Sequence, residues 1–390
     1  MINYIFHIGS SGFPSNNAAS QRIRLTFKGL KKLGFSTFII NKQSLTKKKY
    51  KKINRFDGIP FLFTSTIHHR PDSFVVRNLN KLSGSIFEFF LLYKKRKNLH
   101  TAILYTASFA ELFYYHLLSR LFHFKMIVQY VEFRSSLPER NTFLKKVNDY
   151  LFDNFFYKFC DGVIAISNFL VEHSKGKNIN LPVLKLPAVC DFSENISINP
   201  YKTASYLMYC GSIVYSEVID FILDIFTALK NDNKYEGNLI LVLSGDFEND
   251  WKKIREKIEG LPNKSQIIIK SNISYADLLS LYKGADILMI PLRDTVQDNA
   301  RFPHKVGEYS AAKRPILSTN IGELKAYFKN GVSAILANDY TVQSYLTALS
   351  TTLCSKETLD SIGKEGYKIG LKNFDYEEQA LQLKKFIEAL

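Results

Sequence analysis

Glu308 and Lys305 are the residues whose types and spacing point most directly to chemistry. They stand in the segment RFPHKVGEYSAAKRPILSTNIGE, Arg301 to Glu323. A loop, RDTVQDNARFPH, leads into it and carries Arg293 and Arg301. KVGEYSAAKRP then reads as a helix that Pro315 brings to a stop. Glu308 falls in the first helical turn, where a negative charge is favoured, and a carboxylate there can accept both hydroxyls of a ribose. The loop amides around Phe302, Pro303 and His304, together with Lys305, can take a diphosphate. The plain alternative is that Glu308 only complements the helix dipole.

Glycines supply a second set. Gly9 and Gly12, in GSSG, follow an apolar run and precede a helix, where a missing side chain lets a ligand approach the backbone. Gly211 with Ser212, and Gly245 with Asp246, end two further apolar runs in the same way. Each is equally an ordinary strand-to-helix turn. None is G-x-G-x-x-G, so a nicotinamide or flavin site has no support. Arg22 and Arg24 open the helix after the first glycine turn. Glu132 and Arg134, in VQYVEFRSS, lie just past a strand end.

These residues need a scaffold that brings strand ends together, and the chain supplies one. Asn3–Gly9, Ser36–Asn41, Thr101–Thr106, Lys125–Val131 and Gly162–Ser167 are short, nearly unbroken apolar runs, as in parallel strands covered on both faces. Helical patterns fill the gaps, at about 21–33, 110–122 and 144–159. Residues 182–203, with three prolines and little periodicity, read as a linker. The alternation then restarts through SYLMYCGS, NLILVLSGD, QIIIKSN, DILMIPL, PILSTN and SAILA. Two consecutive βαβ systems in 390 residues predict two doubly wound, Rossmann-like α/β domains facing across a cleft. The first spans 1–190 and the second 203–374. Residues 375–390 form a terminal helix that can pack back on the first.

Composition narrows the classes. With 46% apolar and 23% charged residues the chain is globular. Its apolar runs fall far short of the ~18–20 residues needed to cross a bilayer, and MINYIFHIGSSG reads as a strand, not a signal peptide. A cytoplasmic location is expected. Cys160, Cys190, Cys210 and Cys354 lack metal-site spacing and read as buried thiols, so no zinc site is expected. Charge is lopsided: residues 1–200 hold 29 Lys and Arg against 12 Asp and Glu, a net +17, while residues 201–390 hold 23 against 24. The densest runs are KKKYKKINR, Lys47 to Arg55, and KKRK, Lys94 to Lys97. With no nucleic-acid motif present, an anionic membrane surface is the favoured partner over nucleic acid.

The order of features resembles the family-4 glycosyltransferases of the GT-B fold. The matching pieces are IFHIGSSGFPSNNAASQRI…LKKLGF, DGVIAISNFL, LPAVCDF, YCGSI, LSGD, ISYADLLSLYKGADILMIPL and FPHKVGEYSAAKRPIL, which together cover nearly the whole chain. The resemblance implies a nucleotide-diphospho-sugar donor on the second domain and a glycan or lipid-linked acceptor on the first. It also implies transfer with retention and without a metal. Glu308 matches the second glutamate of the family's E-x7-E motif. The first should stand at position 300, where this chain has Ala300; Asp298 and Asn299 are candidates to substitute, and Pro303–Tyr309 is similar to the P-x-K-x-x-E-Y pattern of a variant subgroup. A Lys is often found after the turn at Gly211; this chain has Glu217, leaving Arg293, Arg301 or Lys305 to neutralise a diphosphate. Glu132 is the candidate to steer or deprotonate the acceptor hydroxyl, with a structural pairing to Arg134 as the alternative. The expected setting is bacterial surface-polysaccharide assembly on the inner face of the plasma membrane. A nucleotide-sugar-binding scaffold and a GT-B-fold epimerase are the rival readings.

Overall fold

A computed structural model describes residues 4–9, 12–15, 17–43, 53–69, 71–137, 140–194, 196–202, 204–353 and 355–390. Ser10, Ser11, Cys354 and most of the first basic run, Lys47–Lys52 with Tyr50, lie outside the described residues. The chain divides into two compact units. Unit 1 comprises Met1–Val189, Ala300–His304 and Tyr376–Leu390; unit 2 comprises Cys190–Asn299 and Lys305–Asp375.

Unit 1 is built on β1 (Tyr4–Gly9), β2 (Ser36–Asn41), β3 (Asn54–Phe56), β4 (Ile59–Phe63), β5 (Leu99–Tyr105), β6 (Lys125–Tyr130), β7 (Gly162–Ala165) and β8 (Val183–Lys185). They form one eight-stranded sheet in the order β3-β4-β2-β1-β5-β6-β7-β8. All neighbours are parallel except β3 and β4. That pair is a hairpin closed by Asp57 and Gly58, both at positive φ (51° and 73°), which is what Asp-Gly supplies in a two-residue turn. β8 falls inside the stretch read as a linker. Its three residues pair with β7, because a sheet edge offers backbone partners to any adjacent extended segment, whatever its side chains. Apolar residues of helix Ala18–Lys32, including Ile23, Phe27 and Leu30, pack with Ile5, Ile39, Ile103 and Ile127 of the central strands. Helix Tyr376–Glu388 lies against helix Ala18–Lys32 so closely that a Cβ on Gly29 would stand 2.5 Å from that of Ala380.

Unit 2 holds β9 (Tyr206–Ser212), β10 (Asn238–Ser244), β11 (Ile267–Lys270), β12 (Ile287–Met289), β13 (Ile316–Thr319) and β14 (Ile335–Ala337). Their order is β11-β10-β9-β12-β13-β14, parallel throughout. Helix Ser216–Asn231 buries Ile219, Ile222, Leu223 and Phe226 against Leu207, Leu239, Leu241 and Met289. Both units are therefore Rossmann-like, with sheets buried on both faces as the unbroken apolar strands require.

Helix Phe74–Lys95 of unit 1 has its polar side inward. Asn80, Gly84 and Glu88, one turn apart, are buried. Asn80 accepts from the Ile67 amide at 2.8 Å and donates to its carbonyl at 2.7 Å. Gly84 admits the Thr64–Ser65 segment, whose Ser65 Oγ would stand 2.7 Å from a Cβ. Glu88 accepts from the Tyr115 hydroxyl at 2.8 Å and the Thr64 hydroxyl at 3.1 Å.

Burial pushes the Glu88 carboxyl up to about 7, against smaller opposing effects of Lys42 and the two hydroxyls. The folded state thus holds a proton that the unfolded chain gives up near its ordinary value of 4.5. Stability conferred by that proton is fully present below 4.5 and is lost as pH rises through about 7. Urea titrations across this window should show unfolding free energy falling by up to about 1.4 kcal/mol per pH unit. In Glu88→Gln that component should be absent.

Candidate functional site

In unit 2 the singled-out residues gather at the carboxyl ends of β9, β10 and β12. Gly211 and Ser212 close β9 in register with Leu243 and Ser244 of β10, and the Ile213 amide donates to the Ser244 carbonyl at 2.8 Å. Gly245 follows at φ 119°, a conformation that glycine alone adopts without strain. The loop after β12 is tied down by two hydroxyls of β13: Ser318 donates to the Ile290 carbonyl at 2.7 Å and Thr319 to the Leu292 carbonyl at 2.5 Å.

Glu308 sits in helix Lys305–Ala311 and is buried. The Tyr275 hydroxyl donates to its Oε1 at 3.2 Å. Desolvation raises its pKa above the ordinary carboxylate value, opposed by the charge of Lys305 and by hydroxyls of Tyr275 and Tyr282, while Glu194 adds a smaller push upward. Lys305 and Glu308 both act electrostatically on Cys210, near the end of β9, so this lysine and carboxylate stand by the glycine turn at Gly211. A buried carboxylate served by hydroxyl donors and one lysine suits a ligand that itself donates hydrogen bonds, such as a vicinal diol.

Arg293 is less available than the sequence suggests. Its guanidinium lies 2.9 Å from Glu217 Oε2 and 3.4 Å from Asp298 Oδ2. Glu217, standing where a base is expected, thus draws Arg293 to the start of helix Ser216–Asn231. Asp298 and Asn299, the candidates to stand in for the glutamate missing at Ala300, both bond within their own loop. Asp298 is buried and accepts from the Arg293 amide at 2.8 Å. Asn299 donates to Asp294 at 2.9 Å and to the Thr295 carbonyl at 3.0 Å. Both side chains shape their own loop.

In unit 1 a second group gathers at the carboxyl ends of β1, β5 and β6. Gly9, at φ 102°, brings its backbone so near β5 that a Cβ would stand 2.2 Å from the Tyr105 carbonyl oxygen. Arg134 is buried and donates to the Thr106 carbonyl at 3.2 Å. Arg134, Glu132 and Arg22 all act electrostatically on the Tyr105 hydroxyl, and Glu132 is half-buried. Arg22 is a framework residue: its guanidinium donates to the carbonyls of Leu186 and Pro187. Arg24 instead pairs with Asp57 at 3.0 Å.

A cavity of about 1040 Å³ opens at this edge of unit 1. Gly12, Thr106, Ser108 and Arg134 form a polar side, and Leu82, Ile86, Phe89 and Phe90 of helix Phe74–Lys95 form an apolar wall.

The structure therefore brings together Gly211, Ser212, Gly245, Arg293, Lys305 and Glu308 in unit 2, and Gly9, Gly12, Glu132 and Arg134 in unit 1. Arg301, Phe302, Pro303 and His304 belong to unit 1, where the neighbouring Ala300 carbonyl accepts from Ser167 at 2.6 Å. Sequence reasoning missed Tyr275 and the helix Phe74–Lys95 wall. A signal for Tyr275 was present: Ser274 caps its helix, accepting from the Asp277 amide at 3.1 Å, and S-Y-A-D marks such a start.

Residues 192–369 match the family described as Glycosyl transferases group 1. No curated protein sequence matches the chain. Among solved structures, a sucrose-phosphate synthase from Thermosynechococcus elongatus superposes with TM-score 0.79 at 13% identity, covering 99% of this chain and 98% of that one. HepE from Anabaena, solved with UDP-glucose, gives 0.70 at 12% identity with both chains fully covered. The lipopolysaccharide outer core galactosyltransferase WaaB gives 0.63 at 13% identity over 99% of each chain. At such identities the likeness establishes the fold, GT-B with two Rossmann-like domains.

The surroundings of Glu308 can be checked by titration. A carboxyl resonance assigned by its loss in Glu308→Gln should titrate above the ordinary carboxylate range. Tyr275→Phe, which removes a donor to the ionised form, should move that midpoint to higher pH.

Proposed function

We propose that this protein is a glycosyltransferase of hexosyltransferase type. It moves a sugar from a nucleotide-diphosphate donor held by unit 2 to a lipid-linked or glycan acceptor held by unit 1. The observation that carries this reading is the buried Glu308 carboxylate beside Lys305 at the end of β9, within the stretch matching the group 1 glycosyl transferases. Solved relatives of the same fold add support: HepE was crystallised with UDP-glucose, and a starch synthase from Arabidopsis with ADP and acarbose.

Glu308, ionised, accepts the two ribose hydroxyls of the donor. Lys305 is the principal cation for the departing diphosphate, because Arg293 is already shared between Glu217 and Asp298. Positive charge and amide donors at that point stabilise the leaving group as the glycosidic bond breaks. The acceptor hydroxyl attacks the face that the diphosphate vacates, giving retention, with Glu132 steering it. No metal takes part in this proposal: Lys305 and the amide donors carry the charge of the diphosphate. An apolar wall beside a polar end in the unit 1 cavity favours a lipid-linked acceptor. The basic first half and the likeness to WaaB suit surface-polysaccharide synthesis at the inner face of a bacterial plasma membrane.

The neutralised Arg293 and the missing glutamate at Ala300 favour one rival, a scaffold that binds nucleotide sugar without transferring it. A thermal-shift screen of UDP-, GDP-, ADP- and CMP-sugars, with and without chelator, followed by transfer assays, separates the two. One donor class should stabilise the protein equally in chelator, and transfer should follow with a lipid-linked acceptor. Binding without transfer would favour the scaffold, and a strict metal requirement would sink the metal-independent mechanism. Glu308→Gln should weaken donor binding about 10- to 100-fold, the worth of charge-assisted hydrogen bonds. In wild type, donor binding should fall as pH drops through the raised Glu308 pKa.

A further inference from the structure

Helix Phe74–Lys95 buries its polar stripe, and its opposite side is apolar and bare. Leu79, Leu82, Ile86, Phe90 and Tyr93 recur at spacings of three and four, which puts them on one face. They are 61%, 58%, 52%, 63% and 49% exposed. Phe74 extends the same surface at 70%. A helix on a water-facing surface normally has the reverse arrangement.

The bare face continues onto two neighbouring helices. Phe113, Leu117 and Leu121 are exposed on successive turns of helix Phe109–Phe122. Phe143, Leu144, Val147 and Tyr150 are exposed on helix Phe143–Phe155. Direct contacts join the three. Tyr114 donates to the Ser85 carbonyl at 2.6 Å, and the Phe89 and Phe122 rings lie 5.3 Å apart. The Phe109 amide donates to Asn148 at 2.9 Å.

Charge on these helices is sorted by sign. The exposed charged side chains are Lys81, Lys94, Lys95, Arg120 (which reaches Asp161 at 3.2 Å), Lys145 and Lys146, all basic. The carboxylates are turned away: Glu88, Asp149 and Asp153 are buried, and Glu111 is held 2.6 Å from Lys42. Cations rimming an apolar face match an anionic lipid surface, where alkyl and aromatic groups enter the acyl boundary and lysines meet phosphates. Two copies of the face set against each other would bring basic rim to basic rim, which disfavours a self-dimer. Among the described residues, no helix is long and apolar enough to cross a membrane.

We propose that the joined apolar faces of helices 74–95, 109–122 and 143–155 seat the protein on an anionic phospholipid bilayer. The apolar side chains enter the acyl boundary, and the surrounding lysines and Arg120 rest at the headgroups. Leu82, Ile86 and Phe90 also wall the unit 1 cavity, so the seat delivers that cavity to the lipid surface. Basic charge alone would give purely salt-sensitive attachment; an inserted apolar face adds a component that salt does not remove. The proposal stands independently of sugar transfer, since the surface is argued without reference to the donor.

The test is co-sedimentation of the full chain with vesicles of phosphatidylcholine alone or mixed with phosphatidylglycerol, at low salt and at about 0.5 M salt, where charges are screened within a few ångströms. Wild type should sediment with the anionic vesicles and keep a measurable bound fraction at high salt. Leu79→Glu with Phe90→Glu should lower the salt-resistant partition at least tenfold. Lys94→Glu with Lys95→Glu should lower low-salt binding and leave the salt-resistant fraction in place. Unfolding midpoints of both variants should stay near wild type, because each change is on an exposed side chain. The proposal is overturned if wild type ignores anionic vesicles, or if high salt releases it completely. It is also overturned if wild type is a dimer that the Leu79, Phe90 variant splits, since the face would then be a protein interface.

Discussion

A parallel strand pair cannot be closed by a tight turn; the chain must leave one end, cross over through a helix and return. Within each sheet, this rule sends the carboxyl ends of the mutually parallel strands, all but β3, to one edge. Unit 1 thereby brings Gly9, Thr106, Glu132 and Arg134 together from β1, β5 and β6. Unit 2 does the same with Gly211, Gly245 and Arg293 from β9, β10 and the loop after β12. Helix Lys305–Ala311 adds Glu308 to that edge.

Buried carboxylates organise these edges, and each is balanced differently. Glu308 faces Lys305 and the Tyr275 hydroxyl, which offset part of its desolvation and leave it able to receive a ligand's hydroxyls. Asp298 accepts from the backbone amide and the guanidinium of Arg293 through Oδ2. Glu88 accepts from two hydroxyls and feels Lys42, but burial outweighs them and lifts it to about 7.

The inverted helix joins framework to function. Its inward polar stripe can be buried only because Thr64, Ile67 and Tyr115 supply partners for Asn80 and Glu88. With that side held inward, the apolar side must face out. There it walls the unit 1 cavity and meets the bare stripes of its neighbours. One local hydrogen-bonding arrangement thus sets the chemistry of an entire surface.

Much of the scaffold was legible in the chain. Unbroken apolar strands alternating with helical patterns are the direct signature of sheets covered on both faces, and they predict two Rossmann-like units. Glu308, Lys305 and the glycine turns were also legible, because strand ends in such sheets have a fixed destination. The β3–β4 hairpin is signalled by Asp57-Gly58. Other features belong to tertiary contact alone. β8 exists because β7 offered it an edge. Arg293 turned to Glu217 and Asp298 because folding set those carboxylates beside it. Phe87–Tyr93 appeared only as a short apolar run. Periodicity shows that a helix has two unlike faces, but the partners that decide which face is buried come from elsewhere in the chain, and only the folded structure brings them within hydrogen-bonding distance.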